Sequence, residues 1–137
     1  MVSQNIVDYL YNHDQVSAAW LFGSVAQGRE RQDSDIDIAI LFVPGLTGSD
    51  QFNLRLALAV DLTAIAGREV DIADMISATP FFQHQVRKTG KLLLEKDHQY
   101  RVAFDVESRR TYFDLASMLE YRNRCLFQRA TKADSHD

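Results

Sequence analysis

One cysteine, two prolines and one tryptophan are all that this chain of 137 residues carries of those types. Cys125 alone closes no intrachain disulfide, and no CxxC or Cys/His cluster is present to hold zinc. His13, His84, His98 and His136 are scattered, with no pair at metal-ligand spacing. A reducing, cytoplasmic setting fits that cysteine usage. No apolar run reaches the roughly 20 residues that cross a bilayer. The opening 1-MVSQNIVDYLYNHD also lacks the basic lead and apolar core of a signal peptide. Positive charge is not in excess either: 15 Lys and Arg face 19 Asp and Glu, a formal net charge of −4. A chain of this kind is expected to be soluble, with no membrane contact and no direct binding to nucleic acid, which needs a basic face.

What remains is ordinary globular material, 46% hydrophobic and 25% charged, of a length that fits one domain with a modest core. Ile6, Val7, Leu10 and Tyr11 recur at helical spacing. The apolar run 17-SAAWLF-22 reads as a buried strand ending at Gly23, and 35-DIDIAILFV-43 as a second strand with Ile36, Ile38, Ile40 and Phe42 on one face. After a turn at 44-PGLTGSD-50, a helix is predicted over 52–66, closed by Gly67. A strand follows at 69–75, then a helix from Pro80 capped by Ser77 or Thr79, and a short edge strand at 91–96. Residues 99–130 contain no Pro or Gly and read as one long helix. The predicted class is therefore α/β (α+β), a small mixed sheet flanked by helices. One domain is expected over 1–130, with a disordered tail at 131–137.

The chemistry concentrates in 23-GSVAQGRERQDSDID-37. Asp35 and Asp37 lie two apart, so on a strand both face away from the isoleucine row. Carboxylates this close repel unless a cation sits between them, and magnesium takes a few carboxylates together with phosphate oxygens and water. Asp71 in 70-VDIA-73 completes a trio if its strand neighbours the first. Such a trio suits two-metal phosphoryl transfer. Gly23 lets backbone approach a phosphate closely, Ser24 adds a hydroxyl donor, and amides beginning a helix there would bind an anion. The bland alternative is a solvated strand edge. Trp20 and Cys125 read more simply as core and as a small apolar residue.

This pattern, Gly-Ser followed by Asp-x-Asp, resembles the signature of the DNA polymerase β-like nucleotidyltransferase superfamily. Chain length and 34-SDIDIAI-40 resemble its minimal nucleotidyltransferase (MNT) branch, whose members pair with HEPN-domain toxins. The resemblance implies a nucleotidyltransferase-like sheet and an antitoxin that moves AMP from ATP to a tyrosine of its partner. It implies that Gly23, Ser24 and Gly28 hold the triphosphate, that Asp35 and Asp37 bind magnesium (two ions), and that Asp71 is the third carboxylate. Gln27 departs from the arginine usual before the second glycine, leaving Arg29 or Arg31 to supply the positive charge. That departure keeps open a second reading, an antitoxin that restrains its partner by binding alone. A small-molecule nucleotidyltransferase fits less well, since so short a chain leaves little room for an acceptor pocket. The bulky apolar groups of the last helix, among them Phe104, Tyr112, Phe113, Met118 and Tyr121, exceed what one small sheet can cover and imply a docked helical partner.

Overall fold

The computed structural model describes residues 4–23 and 35–134, the last three of these by backbone alone. The elements follow in the order α1 (Gln4–Tyr11), β1 (Val16–Phe22), β2 (Ile36–Phe42), α2 (Gly48–Ala66), β3 (Val70–Asp74), α3 (Pro80–Thr89), β4 (Lys91–Glu95) and α4 (His98–Asp134). Four strands form one mixed sheet in the order β3-β2-β1-β4. The β1 strand pairs antiparallel with both β2 and β4, while β2 and β3 run parallel. A parallel neighbour cannot be reached by a tight turn, and α2 supplies the crossover.

Helices cover both faces of the sheet, which is why β1 shows almost no alternation of burial. On one face Ile36, Ile38, Ile40 and Phe42 pack with Val70 and Ile72 against Ile6 and Leu10 of α1 and Leu58 and Leu62 of α2. On the other face Ala18, Trp20, Ala39 and Leu41 pack with Met75 and Val86, joined by Phe22 of β1 and by Phe82, Tyr100 and Phe104 of α3 and α4. Trp20 is thus a core residue, as its apolar setting suggests.

Local chemistry sets the helix ends. Thr47 accepts from the Asp50 amide at 3.0 Å, and Asp50 accepts from the Thr47 amide at 3.3 Å. This reciprocal capping box starts α2 four residues before the predicted position. The left-handed Gly67 ends α2. Thr79, rather than Ser77, caps α3, with Pro80 just inside. Asp97 takes the Tyr100 amide at 3.0 Å at the start of α4.

The last helix is clamped to the body only over its first part. Tyr100 donates to the Phe42 carbonyl at 2.9 Å. Ser108 donates to Gln83 Oε1 at 2.5 Å, and Gln83 Nε2 in turn reaches the Met75 carbonyl at 2.7 Å. Tyr112 stacks on His84 with ring centroids 3.8 Å apart. Beyond Ser108 no described residue of α4 is buried. Among the described residues no helix is long and apolar enough to cross a membrane.

Candidate active site

Every residue of β2 is buried except Asp37. Strand alternation aims it away from the isoleucine row, onto the face it shares with Ala39 and Leu41. Asp37 stands opposite Phe22 of β1 on one side and opposite Asp71 of β3 on the other. The two aspartates are therefore direct cross-strand neighbours in the parallel pair. Asp35 falls one residue short of β2 and is exposed, rather than lying on the strand as predicted.

Gly23 closes the site from the β1 side. A β-carbon built at this position would lie 2.3 Å from Asp37 Oδ2, and the residue adopts φ +79. Two independent reasons thus demand glycine: the left-handed backbone, and the carboxylate pressed against it. The sequence suggests a close approach of backbone to phosphate; the structure shows a close approach to the acid.

Electrostatics support the convergence. Burial, then the Asp71 charge, then the Asp35 charge push the Asp37 carboxyl above its usual pKa range. Three acids thus concentrate negative charge at one end of the sheet. No group of three or more His, Cys, Asp or Glu side chains already poised to hold a metal ion is found among the described residues. The Asp37–Asp71 pair instead suits an ion that fills its remaining positions with phosphate oxygens and water, which is how magnesium is usually held. Ser24, Gln27, Gly28, Arg29 and Arg31 lie outside the described residues.

One feature of the site had no local sequence signal. Phe22, the residue opposite Asp37, packs edge-on against Phe82 of α3 with centroids 5.3 Å apart. This pair walls the site on the helical side. Phe22 reads in the sequence merely as the end of an apolar run.

Residues 4–99 match the family described as Polymerase beta, Nucleotidyltransferase. Over 82 residues the chain is 35% identical to the protein adenylyltransferase MntA of Shewanella oneidensis; the match covers 60% of this chain and 56% of that protein's length. A chain of a toxin–antitoxin crystal structure with AMP-PNP is similar at TM-score 0.73 and 28% identity, over 92% of this chain and 99% of that one. A chain of the tri-AMPylated Shewanella oneidensis HEPN toxin in complex with MNT antitoxin is similar at TM-score 0.64 and 25% identity, over 90% of this chain and 98% of that one.

Proposed function

This chain belongs to the polymerase β nucleotidyltransferase family, and from that premise we propose that it is a protein adenylyltransferase. Its reaction moves AMP from Mg-ATP to a tyrosine hydroxyl of a HEPN-domain toxin, so the chain acts as that toxin's antitoxin. The observation that carries this reading is the in-register pair of Asp37 and Asp71, set against a glycine that leaves no room for a side chain.

Asp35 and Asp37 would hold magnesium, with Asp71 completing the set. Bound there, the ion supplies charge neutralisation for the triphosphate. The chain's own part is to aim and deprotonate. An unperturbed tyrosine hydroxyl has a pKa near ~10, so it needs a base. Asp71, at the exposed edge of the sheet, takes that proton as the oxygen attacks the α-phosphorus. An O–P bond forms, the α–β phosphoanhydride bond breaks, and pyrophosphate leaves with the electron pair. Gly23, with no side chain, leaves the Asp37 carboxylate its room beside the end of β1.

The partner docks on α4. Past its last buried residue, Ser108, this helix exposes Phe113 (62%), Met118 (62%), Tyr121 (63%) and Phe127 (73%). Aromatic residues and methionine are the apolar types enriched at protein interfaces. The same helix favours the second reading, restraint by coverage alone.

Incubation with α-labelled ATP, magnesium and the partner toxin separates the two. Wild type is expected to label the toxin, and Asp37→Asn to leave it unlabelled and active. A toxin neutralised equally by both proteins, with no label on it, would leave coverage as the mechanism.

A further inference from the structure

Beside Asp71, on the outer side of the sheet, lies a groove of about 520 Å³ lined by Ala59, Val60, Thr63, Glu69, Val70 and Asp71. Three large apolar side chains lead into it. Phe52, Leu56 and Val60 recur every four residues on one face of α2, and they remain 54%, 49% and 70% exposed. They form a ridge about 12 Å long. No sheet contact explains it, since the inner face of α2 buries Leu58 and Leu62 instead.

The strand along the groove is itself unfinished. The β3 strand is an edge of the sheet. Ile36 donates to the Glu69 carbonyl and Met75 to the Ile40 carbonyl, both at 2.9 Å. This parity turns the odd-numbered residues of β3 towards β2 and the even-numbered ones outward. Thr63 Oγ1 takes the Val70 amide at 3.0 Å. The N–H and C=O of Ile72 then face away from the sheet, with no strand paired to that edge among the described residues. An edge of this kind is a template for an added strand.

We propose that this groove is the acceptor subsite: an extended segment of the partner protein lies along β3 and the α2 ridge and hands its tyrosine hydroxyl to Asp71. The inference rests on the transfer reaction proposed above and adds where the protein substrate binds. Three observations select this occupant. The groove is continuous with Asp71. Its backbone edge pairs only with extended chain, of which about four residues span the ridge. Its lining carries two carboxylates, Glu69 and Asp71, and no basic side chain, so it offers a nucleic acid nothing to pair with but accepts a neutral phenol.

The test places the photo-crosslinker benzoylphenylalanine at position 60 and irradiates the complex of this chain with the partner toxin and AMP-PNP. The expected cross-link falls within a few residues of the tyrosine that wild type labels. A cross-link to a distant part of the toxin, to a second copy of this chain, or to no protein at all would overturn the subsite. In parallel, Val60→Lys is expected to raise KM for the toxin at least tenfold, with unchanged affinity for AMP-PNP. The exposed Ile65→Lys, on another face of α2, is expected to leave that KM alone. If Val60→Lys labels the toxin with the wild-type KM, the subsite fails while the transfer reaction stands. If wild type labels nothing, the reaction fails and takes the subsite with it.

Discussion

Removing one charge from the acidic pair should make this protein more stable while abolishing its chemistry. Asp37 and Asp71 face each other across adjacent parallel strands, which lie about 4.8 Å apart. Two unit charges about 5 Å apart repel by about 0.8 kcal/mol in water and about 3 kcal/mol at an effective dielectric of 20. Both side chains reach solvent, so screening holds the cost near the lower figure, about 1 kcal/mol. Asp37→Asn keeps the shape and removes the repulsion. For a chain of this length, ~1 kcal/mol corresponds to a rise in Tm of about 3 °C. The sign can be checked by pH. Burial and the neighbouring acids raise the folded-state pKa of Asp37, so its contribution to stability is present below the ordinary carboxylate range and is lost as pH rises through the raised value. The mutant's advantage should therefore appear at pH 7 and vanish near pH ~3.5. Scanning calorimetry without divalent ions at both pH values measures this. Adding magnesium and AMP-PNP should raise the Tm of wild type and leave that of the mutant nearly unmoved, because only a binding-competent native state gains from ligand. A mutant less stable than wild type at pH 7 in the absence of metal would refute the idea that these carboxylates converge and repel.

Three further outcomes follow from individual contacts. Gly23→Ala would drive a β-carbon to within 2.3 Å of Asp37 Oδ2 on a backbone at φ +79; we expect a loss of about 1–3 kcal/mol and a fall in toxin labelling, read by calorimetry and label transfer. Thr47→Ala opens the capping box of α2 and should cost about 1 kcal/mol, or about 3 °C in Tm, with labelling unchanged. The Tyr9 hydroxyl, donating to Asp61 at 2.5 Å, has its pKa pushed up to about 12 by that bond, then by burial and by the Asp61 charge. Ultraviolet titration should show one tyrosine ionising near that value and returning towards the ordinary range in Asp61→Asn. The stabilisation from Tyr9 is fully present below pH ~10 and is lost as pH rises through about 12.

The strands were legible in the sequence because both sheet faces are covered: continuous apolar runs such as 17-SAAWLF-22 can hide only in such a setting. Within β2, one aspartate opposite a row of isoleucines was enough to say which way the acid points. The start of α2 was hidden by chemistry that serves turns and helix caps alike. In 47-TGSD-50 the glycine and serine suggest a turn, while the threonine and aspartate three apart make a capping box. The neighbour of β2 could not be read locally at all. Nothing within 70-VDIA-73 reveals that its strand lies parallel to β2 with Asp71 opposite Asp37; that register is set by α2 and by the isoleucines and valines of the shared core. The β2 strand starts one residue later than the sequence pattern suggests, because Ile36 takes the first ladder bond, to the Glu69 carbonyl, and leaves Asp35 outside.

That small displacement has a chemical meaning. Asp37 is held on three sides, by Phe22, by Asp71 and by the bare backbone of Gly23, whereas Asp35 is exposed ahead of the strand. A rigid carboxylate between two others carries an electrostatic cost in the free protein, and only a cation or a proton relieves it. An exposed carboxylate on a strand approach can swing towards an ion at little cost. On the proposed reaction the arrangement would divide the labour: Asp37 would fix where the positive charge sits, Asp71 would meet the acceptor at the open edge, and Asp35 would be the movable third carboxylate. If this division holds, Asp35→Glu, which lengthens a movable arm, should retain measurable toxin labelling. Asp37→Glu would push one more methylene against Gly23, where an added carbon already has no room, and should lose labelling. Equal loss in both variants would mean that Asp35 is as tightly constrained as Asp37.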